Sequence, residues 1–70
     1  MVSYLQTIRY GRLVEVEPAI KGLMMVKIDA GSELLVGVLS ADNIKAELGQ
    51  SVEVRFDSKG NLNNVKGVAR

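Results

Sequence analysis

The residues here with chemistry to offer are five serines, two tyrosines, one phenylalanine, nine lysines and arginines and eight acidic side chains; histidine and cysteine are absent. A serine nucleophile needs a base beside it. Ser3, Ser32, Ser40, Ser51 and Ser58 have no imidazole or thiolate anywhere in the chain to act as one. Zinc and copper sites ordinarily draw on those same two missing side chains. Paired carboxylates are the remaining general acid–base arrangement. Glu15 and Glu17 would stand roughly 7 Å apart on one strand face, and two solvated charges are the simpler reading. No loop carries the ligand spacing of a hard-cation site. The seven glycines are scattered singly, so none forms a phosphate-cradling loop. The chain reads as non-catalytic, with no metal or cofactor.

Binding chemistry is better supplied. A single-stranded nucleic-acid site combines aromatic platforms for bases with cations for the backbone. The cations are Arg9, Arg12, Lys27, Arg55 and Lys66, and Tyr4 is an aromatic outside the predicted strands. Strand phase places Arg9, Lys27 and Arg55 outward, as a basic strip, and Tyr10 and Phe56 inward, as core. A net charge of +1 offers little long-range attraction for a polyanion, so such a site depends on local contacts. The rival use of the surface is self-association, or a structural place as accessory subunit of a protein complex. Leu13, Met25, Leu35 and Leu39 have outward phase on three consecutive strands and would form an apolar patch. Covering ~500 Å² of it with a second copy, at ~25 cal/mol/Å², contributes on the order of 12 kcal/mol before association costs. A homo-oligomer is therefore expected, as small scaffolds without disulfides often need one.

These side chains need elements to hold them. Two-residue alternation marks five strands: Ile8–Glu17, Leu23–Asp29, Leu34–Leu39, Ser51–Phe56 and Leu62–Val68. In the first, Ile8, Tyr10, Val14 and Val16 share the apolar face, and Pro18 ends the run. In the second, Met24, Val26 and Ile28 alternate with Met25, Lys27 and Asp29. The third is apolar on both faces, as a covered central strand would be. Val52, Val54 and Phe56 point inward from the fourth, and a phase change in the fifth predicts a bulge near Asn63–Asn64. Asp29–Ser32 and Asp57–Gly60 are turn sequences. Between strands three and four the rhythm changes to that of a short helix. Ser40 is its cap, Ala41, Ile44 and Leu48 share one side, and Gly49 is the stop. Asn43 stands where Glu or Gln would complete a capping box.

Three strands, a helix and two strands is the order of a five-stranded all-β OB barrel, with the helix plugging one end. An SH3-like barrel is the alternative, with the short helix at a different point in the strand order. Two runs, Gly22–Val36 and Leu48-Gly-Gln-Ser-Val-Glu-Val-Arg-Phe-Asp57, resemble a TOBE domain, the OB-related module of transporter ATPases, and its free-standing molbindin relatives. That resemblance implies a self-assembling barrel and, in the molbindin branch, a small oxyanion such as molybdate at subunit interfaces. The branch's ligand motif has no counterpart in Ser3-Tyr-Leu-Gln6, and Val54-Arg-Phe56 replaces its Ile-Lys-Ala, so no ligand residue carries over. Seventy residues make one small domain spanning 1–70. An N-terminus without an apolar leader and the lack of a membrane-length run predict a cytoplasmic protein without membrane contact.

Overall fold

The computed structural model describes residues 7–68. Among these, six strands form one mixed sheet: β1 (Thr7–Pro18), β2 (Leu23–Asp29), β3 (Leu34–Ser40), β4 (Ile44–Lys45), β5 (Ser51–Phe56) and β6 (Leu62–Gly67). Their order across the sheet is β3-β2-β1-β5-β6-β4. β4 runs parallel to β6, and every other pairing is antiparallel. The five expected strands are present to within a residue or so at each end. The all-β class follows from them.

The expected helix is not there. Ser40 does cap, its Oγ accepting the Asp42 N–H at 3.2 Å, but only one 3-10 turn follows, Ala41–Asn43. The chain then extends as β4, with Ile44 opposite Val65 and Lys45 opposite Lys66. A helix this short is marginal unless tertiary packing holds it, and the incomplete capping box leaves its first turn weakly held. Ladder bonds to β6 hold Ile44 against the core instead. Leu48, expected inward, is exposed. The end of the segment continues the pairing of β5 with β1 and does not plug the sheet. The Leu13 N–H donates to Gln50 O at 3.0 Å, and the Gly49 N–H donates to Leu13 O at 2.7 Å.

That same point on β1 changes the phase of the strand. Leu13 faces Ile28 and Glu15 faces Lys27, so Val14 is an extra residue, a β-bulge. A one-residue slip exchanges the two faces of everything before it. Leu13 is therefore fully buried, whereas Ile8, Tyr10 and Val14 are exposed. The expected inward set of β1 keeps Val16 alone, packed against the core. The second bulge, at Asn63, lies where the sequence predicts one: Arg55 pairs with Asn64 and Phe56 with Leu62.

Among the described residues the core is Leu13, Val26, Ile28, Leu39, Val52, Val54, Leu62 and Val65. Leu35, Ile44, Ala46 and Phe56 pack against it. The sheet curls so that β3 approaches the start of β6. Gly37 makes this approach feasible, because a Cβ there would stand 2.6 Å from the Leu62 Cβ. No ladder joins the two strands, so the sheet is not a hydrogen-bonded five-stranded barrel. Among the described residues β3 is accordingly an edge strand in its ladder and not the central strand expected. Its inward residues are Leu35, Gly37 and Leu39. Leu34, Val36 and Val38 stand on the outer face at 53%, 53% and 50% exposure. No described helix is long and apolar enough to cross a membrane.

Candidate functional site

The bulge at Val14 places Tyr10 on the convex, outer face of the sheet, 63% exposed and in company the alternation did not suggest. Across that face the register forms three rows. Arg12 lies between Asp29 of β2 and Ser51 of β5. Tyr10 lies beside Glu53, which has Lys66 on its far side. Ile8 lies beside Arg55, which has Asn64 on its far side. Successive rows are about 7 Å apart along the strands. One phenol ring, three cations and several polar groups thus share one continuous surface of β1, β5 and β6.

Ion pairs grade the cations. Arg55 Nε lies 3.0 Å from the Glu53 Oε2 on its own strand, and Lys27 Nζ lies 3.6 Å from Glu15 Oε1. Arg12 and Lys66 have no carboxylate partner among the described residues. Arg12 donates only a long bond, 3.4 Å, to the Gly49 carbonyl. Among the described residues these two cations, Lys66 in the row of Tyr10 and Arg12 in the next, are the groups free to meet a ligand.

The expected basic strip is therefore reassembled. Arg12, Arg55 and Lys66 come together. Lys27 shares the outer face but lies beyond the bulge, tied to Glu15. Arg9 is a correction. It sits opposite the buried Val54, on the inner side of the sheet. There it pairs with Glu33 of the β2–β3 turn at 3.2 Å. The bulge again is the reason, since Arg9 shares the phase of Leu13. Tyr4 lies outside the described residues. Tyr10 is the residue that alternation assigned to the core. The signal that would have found it is the apolar doublet Leu13-Val14, since two adjacent large apolar residues in an alternating strand mark a place where register can slip.

Of the four expected interface residues, Leu13 and Leu39 are buried in the core and Leu35 packs against it. None of these three is on the outer surface, again because a face was exchanged. Met25 is on the outer face, half-buried beside Val38. The exposed apolar stripe is instead Leu34, Val36 and Val38. A groove of about 630 Å³ runs between this strand and β6, bordered by Val36, Val38, Asn61 and Asn63.

A second open cavity of about 630 Å³ lies in the row of Arg12 and is bordered by Tyr10, Arg12, Asp29, Gly31 and Ser51. Gly11 forms part of its wall. A Cβ at that position would stand 2.5 Å from the Asp29 carbonyl oxygen, so only glycine lets the end of β2 lie this close. Asp29 Oδ1 accepts the Gly31 N–H at 3.0 Å, which holds the turn and fixes the carboxylate at the cavity. Comparison with protein-family models, curated proteins and solved structures finds no match to this chain.

Proposed function

We propose that this chain is a non-catalytic binding module, a curled sheet of OB type whose outer face takes single-stranded nucleic acid. The strand pairing supports the OB reading: a β1–β2–β3 meander, β5 and β6 added on the other side of β1, and a curl that brings Gly37 against Leu62. The observation that carries the function is Tyr10, an exposed ring on the same face as Arg12 and Lys66, which have no carboxylate partner among the described residues. Each base stacked on such a ring contributes about 1–3 kcal/mol in a sequence-tolerant way, and cations beside it hold the backbone. Glu53 and Glu15 on the same face keep the affinity modest. The test is fluorescence anisotropy of a labelled oligothymidylate at low salt. Saturable binding that weakens as salt rises is expected, and no binding at low salt overturns the reading.

Self-association is the second reading, and the stripe of Leu34, Val36 and Val38 favours it. Three half-exposed aliphatic side chains in line on a strand without a charged or proline residue leave an edge that proteins normally protect. The opposite edge, β4, is only two residues long and carries Lys45. Light scattering tests it: a mass above 7.6 kDa that Val36→Glu returns to 7.6 kDa is expected. A monomer at every concentration overturns it.

A further inference from the structure

Arg12 and Asp29 are directly opposite in register and of opposite charge, yet they do not form an ion pair. Arg12 leans toward the Gly49 carbonyl, and Asp29 toward the Gly31 N–H. Both border the open cavity that Tyr10 also borders. A bare oxyanion fits this poorly, since it would meet the Asp29 carboxylate as well as the arginine. The occupant needs N–H donors for Asp29, a flat ring for Tyr10 and negative charge for Arg12. We infer that the cavity is a base pocket selective for guanine. This rests on the nucleic-acid reading and names the base that the same face prefers.

The chemistry is that of a carboxylate meeting two parallel N–H donors. A carboxylate has about four acceptor positions, and Asp29 commits one within the protein. Single-stranded bases are read on their Watson–Crick edges while their faces stack on aromatic rings. Guanine presents a ring N–H beside an exocyclic amino group on that edge. Adenine, cytosine and thymine each lack that adjacent pair. Arg12, whose guanidinium can take a phosphate through two parallel bonds, borders the same cavity on the neighbouring strand. Tyr10, one row away on β1, supplies the stacking face. Gly11, between Tyr10 and Arg12, lets the Asp29 end of β2 lie close against β1.

Anisotropy with two labelled strands tests this, one of thymidines only and one with a single central guanosine. The guanosine strand is expected to bind about 5- to 150-fold more tightly, the discrimination of one bidentate contact. Asp29→Asn should abolish that preference, while the thymidine strand, relieved of a carboxylate beside Arg12, should bind no more weakly than to the parent chain. Asparagine can still accept the Gly31 N–H through its carbonyl oxygen, and circular dichroism of the variant confirms that the sheet is retained. Equal binding of both strands overturns the pocket and leaves the nucleic-acid reading intact. A preference that survives Asp29→Asn also overturns it, whereas failure of both strands to bind overturns both readings. Guanosine monophosphate as competitor separates the sources of the base. Displacement at concentrations matching the strand's assigns the pocket to the free nucleotide, and displacement only at large excess assigns it to the strand.

Discussion

Tyr10 and Leu13 show what one extra residue does. Alternation read forward from Ile8 places Tyr10 inside and Leu13 outside, and the structure has both the other way round, because Val14 is bulged. The two side chains therefore respond differently to truncation. Leu13→Ala removes a fully buried side chain and is expected to cost ~2–5 kcal/mol of stability, read as a lower midpoint in urea unfolding. Tyr10→Ala should leave that midpoint nearly unchanged and weaken oligonucleotide binding by ~1–3 kcal/mol. A stability loss at Tyr10 equal to that at Leu13 would place the ring in the core after all. The cations follow the same logic. Lys66→Ala, with no carboxylate partner among the described residues, should weaken binding more than Lys27→Ala, whose ammonium is already held by Glu15.

Among the elements, β3 and the segment after it decide the outline of the molecule. Gly37 is where β3 meets β6, and Gly37→Val must displace the Leu62 side chain or part the strands. Overpacking of this kind costs about 1–3 kcal/mol, and urea titration against the parent chain checks it. The effect should exceed that of Val38→Thr, one residue along on the exposed face. β4 shows how pairing overrides local rhythm. Ala41, Ile44 and Leu48 have helical spacing, yet Ile44 gains both a ladder partner and a place against the core by extending. The cap itself was legible, since Ser40 does accept the Asp42 N–H. Its continuation was not, because ten residues carry too little intrinsic helix preference to resist a waiting strand edge.

At the scale of the whole molecule, balanced charge sets the character of any polyanion binding. A site whose free cations among the described residues are Arg12 and Lys66, with Arg55 shared, predicts a slope of log affinity on log salt no steeper than about −2. A much steeper slope would mean that the strand crosses a wider surface than these three rows. The sequence by itself determined the five main strands, the turns at Asp29 and Asp57 and the bulge near Asn63. Those rest on local chemistry: alternation and turn residues act within a few positions of one another. Only the tertiary structure decided which face of β1 and β3 is inside, that Ile44 is extended, and that Tyr10, Arg12 and Asp29 share one surface. Those outcomes depend on backbone partners far away in the chain. The bulge at Val14 forms where Gly49 and Gln50 bond to Leu13, and β3, apolar on both faces, has no pattern of its own to choose a side. A strand whose two faces are equally apolar takes its orientation from whatever packs against it.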